Sequence, residues 1–397
     1  MEDKISLEMA ADGEGRSLVS VVVGRRFAVA PDGLLSDRGD FAFCEEPIEY
    51  EATDCLGPIQ PDLMKRDIDT WPWKSGADLV IQGTANFQSP IQTTDLLLEV
   101  RGEANFRQVI RATGDRRVER RGGQLALSDP ERFDAMPLRW DKAYGGTDAA
   151  AHERMLHPDY LWLIRQQMSE EAADSWSELS YPRNPAGKGY LVEGSDPEGL
   201  QWPNLEFAGE ELSLTRLQLP VGRWGQQVYP ACWDWLPYFW VPRLCALGDH
   251  PETFDEKSPS KEVELGILTP DFPSLGLIQR NMTNLARGAH PYLQHLKFSG
   301  DEVIRVSALG HEGADLTAQL PGLCPQVELR LGGGRVQTLR GELDLVFIEG
   351  DEQSVSLVWR ASTYELPNPL GVDFSATAEV PLPPGWQEQA EVSVAWV

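Results

Sequence analysis

The apolar residues of this chain occur in short runs, and none of these runs is longer than a single β-strand requires. Val, Ile and Leu dominate the runs, and Gly, Pro or Asp residues separate them. The clearest runs are residues 5–7, 18–23, 79–81, 96–100, 106–110, 303–307, 327–331, 336–339, 343–348 and 355–359. The sequence therefore predicts a mainly β protein of the α+β class, with antiparallel β-sandwich-like units, a loop-rich middle segment and a few helices.

The length of 397 residues predicts more than one packed unit, because single hydrophobic cores stop growing below this size. Changes in composition divide the chain into an N-terminal β-rich unit at residues 1–135, a loop-rich middle segment at 136–260 and a C-terminal β-rich unit at 261–397. The middle segment is rich in Trp, Pro and Gly. It contains one predicted helix at residues 159–175, where apolar residues recur with helical spacing.

Three shorter segments carry structural predictions of their own. Residues 46–73 are rich in Pro, Asp and Trp without a sustained period, which predicts a long ordered loop over the sheet. Residues 275–289 form a second possible helix that ends near Pro291. The consecutive glycines at residues 332–334 predict a hairpin turn, since glycine readily adopts the positive φ values of such turns.

The formal net charge of −27, from 35 Lys and Arg against 62 Asp and Glu, argues against two classes of partner. Such a field repels the phosphates of nucleic acids and of anionic membranes. A local run of Arg116, Arg117, Arg120 and Arg121 is interrupted by acidic residues. We interpret it as a strand with alternating exposed charges, because a short run of mixed sign rarely follows a phosphate backbone.

Cysteine usage and the N-terminus predict the compartment. The first residues lack a basic region followed by an apolar one, so no secretory signal is expected. No apolar run approaches the length of a membrane-spanning helix. Cys44, Cys55, Cys232, Cys245 and Cys324 are scattered and form no Cys-x-x-Cys pair, which favours free thiols in a reducing cytoplasm. We therefore expect a soluble cytoplasmic protein.

Sequence patterns of known catalytic and cofactor sites are missing. The histidines form no metal-binding or acid–base pattern, and we expect them to be solvated or to cap helices: His152, His157, His250, His290, His295 and His311. Neither a Walker motif, a dinucleotide-binding glycine loop nor a Gly-x-Ser-x-Gly elbow occurs. We therefore expect that the chain is not an enzyme and that it binds no cofactor, no metal and no small-molecule substrate. A hydrolase on a β scaffold, such as a carbohydrate-active enzyme, stays open, because a carboxylate pair depends on spatial separation.

Several motifs of the middle segment combine turn residues with large apolar anchors. In the strip of residues 184–190, Gly187 and Gly189 can adopt conformations closed to other residues, while Pro185 restricts Asn184 to an extended state. We favour a structural loop whose glycines let backbones pass closely, and direct contact with a partner is the alternative. Residues 202–206 likewise combine a rigid turn with a tryptophan.

An ordered series of motifs resembles a bacterial family of type VI secretion accessory proteins that was first catalogued as a domain of unknown function. The motifs are residues 78–83, 114–116, 136–138, 143–146, 184–190, 203–206, 299–302, 320–322 and 357–360. The family usually has Phe where Tyr144 stands. The resemblance implies an adaptor or chaperone that binds a secreted effector, its PAAR or VgrG spike partner, or both, in the cytoplasm of a Gram-negative bacterium before export. A structural component of the secretion apparatus is a further alternative.

Within this series we expect the structural or partner-binding residues to be Asp115, Arg116, Tyr144, Gly145, Gly146, Asn184, Pro185, Gly187, Gly189, Tyr190, Pro203, Asn204 and Glu206. The acidic stretch at residues 169–212, whose cations are Arg183 and Lys188, is expected to face solvent, and complementing a basic partner is the alternative. We expect the densest aromatic group to pack in the core: Trp224, Tyr229, Trp233, Trp235, Tyr238, Phe239 and Trp240.

Overall fold

The structure is a computed structural model. It describes residues 4–11, 17–50, 63–71, 74, 76–148, 150–151, 180–181, 183–219, 226–237, 240, 243, 287–294, 296–331, 335–363 and 391–396. The described chain is mostly β, as predicted, and it has single 3-10 turns at Trp140–Lys142, Leu214–Arg216, Pro291–Leu293 and His311–Gly313. Residues 150, 151 and 243 are α-helical. Each apolar run named above coincides with a strand.

The strands are β1 (Lys4–Ala11), β2 (Ser17–Val29), β3 (Leu35–Asp37), β4 (Ile48–Glu49), β5 (Met64–Arg66), β6 (Asp78–Gln82), β7 (Thr84–Ile91), β8 (Thr93–Arg101), β9 (Phe106–Thr113), β10 (Val118–Arg121), β11 (Gln124–Leu127), β12 (Phe133–Pro137), β13 (Tyr144–Gly145), β14 (Lys188–Gly189), β15 (Leu191–Val192), β16 (Leu205–Phe207), β17 (Gln218–Leu219), β18 (Val303–Val306), β19 (Leu316–Gln319), β20 (Pro325–Leu331), β21 (Arg335–Arg340), β22 (Glu342–Glu349), β23 (Ser354–Thr363) and β24 (Glu391–Trp396).

Two large sheets form a sandwich around the main core. The first has the order β1-β2-β23-β22-β6, with β3 also paired to β2, and the second has the order β16-β9-β8-β18-β19. Leu79 of β6 and Phe347 of β22 share one buried cluster with Leu98 of β8 and Ile304 of β18. Within these two sheets the pairing is antiparallel except between β6 and β22, which run parallel.

A third layer covers the outer face of the first sheet. The three-stranded sheet β21-β20-β24 contributes Val327 and Leu329 to a cluster with Val19, Val21 and Val23 of β2. These three valines alternate along β2, so they share one face of the strand. Coverage of both faces explains why the inner strands of the first sheet are apolar at successive positions and not only at alternate ones.

The two large sheets join distant parts of the sequence. The first sheet takes β1, β2, β3 and β6 from the N-terminal segment and β22 and β23 from the C-terminal segment. The second takes β16 from the middle segment and pairs it with β9. The boundaries near residues 135 and 260 thus mark changes in composition, and the sheets cross both of them.

Other local predictions have mixed outcomes. Residues 46–73 were expected to be a loop, but β4 and β5 form an antiparallel pair within them. Met64 of β5 and the preceding Leu63 are buried. The predicted helix at residues 159–175 and the glycine turn at 332–334 lie outside the described residues. So do residues 275–286 of the helix predicted at 275–289, and its last three residues, 287–289, are not helical. Cys44, Cys232 and Cys324 are free thiols, as expected. No helix in the described part of the chain is long and apolar enough to cross a membrane.

Candidate functional site

The motif residues predicted from the sequence meet around a short parallel pair of strands, β13 and β14. Tyr144 pairs with Lys188, and Gly145 pairs with Gly189. The backbone N–H of Lys188 donates to the carbonyl of Ala143 at 2.9 Å, and the N–H of Tyr190 donates to that of Gly145 at 2.9 Å. Two segments about forty residues apart in sequence are thereby held side by side. We call residues 143–146 and 184–190 the glycine cradle.

Asn184 is the polar centre of the glycine cradle. Its fully buried side-chain amide donates to the carbonyls of Trp140 at 2.8 Å and Tyr144 at 3.0 Å. Its own carbonyl accepts the N–H groups of Gly146 at 2.8 Å and Gly187 at 3.3 Å. One asparagine therefore ties both sides of the cradle together through the backbone. Pro185, which follows it, is half-buried.

The glycines of the cradle are required by close backbone approach. At Gly145, with φ +146°, an added Cβ would lie 2.1 Å from the carbonyl oxygen of Asn184. At Gly187 an added Cβ would lie 2.5 Å from the carbonyl oxygen of Ala143. Gly189 has φ +94° and contacts Pro203, whose Cδ would be 2.9 Å from a Cβ. The positive φ values and the lack of space both exclude other residues without backbone movement.

Asn204 forms a second polar centre beside the cradle. Its amide donates to the carbonyl of Thr113 at 3.0 Å and to a carboxylate oxygen of Asp115 at 2.9 Å. Its side-chain oxygen accepts from Nζ of Lys188 at 3.0 Å. Burial raises the pKa of Asp115, but the Asn204 hydrogen bond and the Lys188 charge outweigh burial and hold that pKa below its ordinary value. Burial and the nearby Lys142 charge lower the pKa of Lys188.

Arg116 and Glu206 close the cluster from the other side. Nη2 of Arg116 lies 2.9 Å from a carboxylate oxygen of Glu206, which is 5% exposed. The other oxygen of Glu206 accepts the N–H of Leu212 at 2.8 Å. Burial raises the pKa of Glu206, although Arg116 and the Leu212 N–H act against it. The acidic stretch was expected to face solvent, and Glu206 is an exception because its charge is bound inside the fold.

The rest of the arginine run carries exposed charges, and part of it is a strand, as predicted. Arg120 and Arg121 belong to β10, which pairs with β11. Arg120 binds Asp196 at 2.7 Å and Glu198 at 3.1 Å. Arg121 binds Glu119 at 3.2 Å. The carboxylates around these arginines neutralise them, which agrees with the interpretation as a mixed-charge strand.

Three tyrosines line the apolar side of the cradle. The rings of Tyr144 and Tyr181 are 4.8 Å apart, and those of Tyr181 and Tyr190 are 5.5 Å apart. The hydroxyl of Tyr181 donates to the carbonyl of Val228 at 3.0 Å. The hydroxyl of Tyr144 is buried without a hydrogen-bond partner, and burial raises the pKa of Tyr144 well above its ordinary value.

Replacing Tyr144 by phenylalanine is expected to raise the free energy of unfolding by about 1 kcal/mol, because a buried hydroxyl without a partner is removed. The matched change Tyr181→Phe is expected to lower it by about 1 kcal/mol, because the Val228 carbonyl loses a donor. Urea unfolding of both variants measures the difference. An equal loss in both variants would contradict the assignment of an unpartnered hydroxyl to Tyr144.

Sequence reasoning missed two participants near the cradle. Lys188 was not selected, although it is one of two cations in residues 169–212, which was the available signal. His290 was expected to be solvated or to cap a helix. It does cap the turn Pro291–Leu293, but it is fully buried against the ring of Trp140, with centroids 5.8 Å apart. No local sequence pattern identifies the ring of Trp140 as its neighbour.

The aromatic group of the middle segment lies in the interior where the structure describes it. Trp233, Trp235 and Trp240 are 0%, 2% and 4% exposed, which confirms the prediction of core packing for them. Tyr229 is half-buried. Trp224, Tyr238 and Phe239 lie outside the described residues.

Three buried carboxylates outside the cradle are bound to arginines. A cavity of about 10 Å³, room for about one water molecule, is lined by Asp67, Asp69 and Asp344. Asp67 binds Arg243 at 2.6 Å. Asp69 and Asp344 bind Arg66 and Arg360 at 2.9 and 2.6 Å. Across the described residues, no group of three or more His, Cys, Asp or Glu side chains could hold a metal ion.

The glycine cradle can hold backbone segments in fixed positions. The amide N–H groups of Asn184 and Asn204 are engaged in doing so, whereas the side-chain oxygen of Asn184 and the hydroxyl of Tyr144 are buried without a hydrogen-bond partner. Comparison with curated proteins gives no match, and comparison with solved structures gives none either. A family model described as an uncharacterized protein conserved in bacteria (DUF2169) matches residues 14–360, which include every cradle residue. Since the match covers most of the chain, this protein belongs to the bacterial family DUF2169.

Proposed function

We propose that this chain is a non-enzymatic adaptor that binds other proteins. The proposal depends on the hydrogen bonds made by the polar groups in and beside the glycine cradle. Asn184 and Asn204 bind backbone carbonyls, and Lys188 binds Asn204. Glu206 binds Arg116 and a backbone N–H. The hydrogen bonds of these groups fix the positions of backbone segments. A general base or nucleophile would instead need a reacting group within hydrogen-bond reach.

The secretion role is the finer part of the proposal. The ordered motifs between Asp78 and Arg360 resemble type VI secretion accessory proteins, and all of them lie within the residues matched by the family model. On this proposal the partner is a secreted effector, its PAAR or VgrG spike protein, or both. Binding takes place in the cytoplasm before export. The cradle then acts as a rigid support for the contact surface, and it is not itself that surface.

Net charge supports a protein partner of opposite sign. A charge of −27 attracts basic protein surfaces and speeds their encounter with this chain. The same charge disfavours nucleic acid and anionic membranes as partners. The hydrolase alternative finds no support in the cavity described above, since Asp67, Asp69 and Asp344 are each bound to an arginine there.

The test is co-expression of this chain with the effector and spike proteins encoded by neighbouring genes. We expect the tagged chain to co-purify with at least one of them and to raise its soluble yield. Deletion of the gene is expected to abolish secretion of that effector while other effectors are still exported. An absence of co-purification, together with unchanged effector stability and secretion, would overturn the proposal. Stable self-assembly in light scattering would favour a structural component instead.

A further inference from the structure

An exposed tyrosine lies at the end of the second sheet, above a buried aromatic group. Tyr292 is 48% exposed, whereas most other aromatic side chains in the described chain are buried or half-buried. Its ring lies 5.4 Å from the ring of Tyr229 and 5.5 Å from that of Phe207, the last residue of β16. Arg183 lies over the ring of Tyr229 at 4.7 Å. We call Tyr292, Tyr229 and the neighbouring Glu210 the tyrosine face.

The tyrosine face is held rigidly by the residues beneath it. Nδ1 of His290 accepts the backbone N–H of Tyr292 at 3.1 Å, and Pro291 restricts the backbone between them. The ring of His290 also contacts the rings of Tyr292 at 4.9 Å and Tyr229 at 5.0 Å. A side chain that is already ordered loses little conformational entropy when a partner binds it.

Charges around the tyrosine face favour a cation at Tyr292. Glu210 is exposed and stands in the turn that follows β16, where its N–H donates to the carbonyl of Phe207 at 3.0 Å. Glu210 and Tyr292 both contact Phe207, the first through this hydrogen bond and the second through its ring, so they are neighbours on the surface. Burial and then the Glu210 carboxylate raise the pKa of Tyr292, and the Arg183 charge acts against them with a smaller effect. Burial lowers the pKa of His290 to about 3, so its ring is neutral at physiological pH and does not repel a cation.

We propose that Tyr292 and Glu210 bind an arginine or lysine side chain presented by a partner protein. The face of a tyrosine ring attracts a cation, and an adjacent carboxylate adds a charged hydrogen-bond acceptor. Tyrosine is also enriched among the residues that dominate binding energy at interfaces. The cation contacts Tyr292 and not Tyr229, since Arg183 already lies over the latter ring. This inference rests on the proposed adaptor function and names one contact surface for it.

The test uses the full chain and a fluorescein-labelled peptide of six Gly-Arg repeats, with fluorescence anisotropy as the readout. We expect Tyr292→Ala to weaken binding roughly fivefold, and Tyr292→Phe to bind like the natural protein because the ring is kept. Glu210→Gln is expected to weaken binding roughly threefold. The matched control is Glu352→Gln, which makes the same change of net charge at an exposed position between β22 and β23. It is expected to have little effect.

Three results would overturn the inference: no binding of the peptide, unchanged binding by Tyr292→Ala, or equal weakening by Glu210→Gln and Glu352→Gln. The last would mean that the peptide senses only net charge. Co-purification with the neighbouring effector or spike protein separates this inference from the adaptor function. If Tyr292→Ala and Glu210→Gln keep full co-purification, the tyrosine face is wrong and the adaptor function stands. If the natural chain fails to co-purify, the adaptor function is wrong, and the peptide result decides the tyrosine face.

Discussion

Replacing Gly145 by alanine is expected to lower the free energy of unfolding by at least about 4 kcal/mol or to abolish soluble expression. The new Cβ would lie 2.1 Å from the carbonyl oxygen of Asn184, and φ at this position is +146°. Relief of the clash would separate β13 from β14 and break the hydrogen bonds that Asn184 makes to both sides of the cradle. Urea unfolding followed by tryptophan fluorescence measures the loss.

The matched control for this change is Gly194→Ala. Gly194 also has a positive φ, of +87°, but an added Cβ there would meet nothing within 4 Å. We expect a cost of about 1–2 kcal/mol, which is the backbone strain alone. Similar losses at Gly145 and Gly194 would mean that the close approach to Asn184 does not limit the cradle, and the account of Gly145 given above would be wrong.

Replacing Arg360 by methionine is expected to lower the free energy of unfolding by about 3–5 kcal/mol. Arg360 and Asp344 form an ion pair at 2.6 Å, and their side chains are only 5% and 7% exposed. The guanidinium also donates to the carbonyls of Asp69 and Trp71. Without it, a buried carboxylate and two carbonyls lose their donor. Thermal and urea unfolding both measure this loss.

An exposed ion pair provides the control for Arg360. Arg305 binds Asp315 at 2.5 Å, but its side chain is 49% exposed, so Arg305→Met is expected to cost less than about 1 kcal/mol. The double variant with Arg360→Met and Asp344→Leu is expected to recover part of the loss, because no charge is left buried without a partner. Equal costs for Arg360→Met and Arg305→Met would contradict a role for burial.

Strand positions could be predicted because they depend on local sequence. Residues 79–81 and 355–359 are short apolar runs between turn residues, and both are strands. The loop predicted at residues 46–73 was wrong in part, since β4 and β5 are only two and three residues long. Strands that short show no detectable alternation of apolar and polar residues. Their pairing depends on neighbours that lie elsewhere in the sequence.

The candidate residues were found as separate motifs, and their assembly was not predictable. Asp115 and Lys188 both bind Asn204, although they are far apart in sequence. No periodicity relates such residues, because their approach depends on how β9, β14 and β16 are placed. The orphan hydroxyl of Tyr144 and the exposure of Tyr292 likewise depend on the final packing.

By itself the sequence determined the β class, the positions of the strands that contain apolar runs, the mixed-charge arginine strand and the glycines on which the cradle depends. These properties follow from side-chain period, charge order and the conformational freedom of glycine, which are local. Tertiary structure alone decided that β2 pairs with β23, that β6 runs parallel to β22 and that the motifs meet at β13 and β14. Strand partners are chosen by burial of whole sheet faces, and that choice sums contacts over the entire chain.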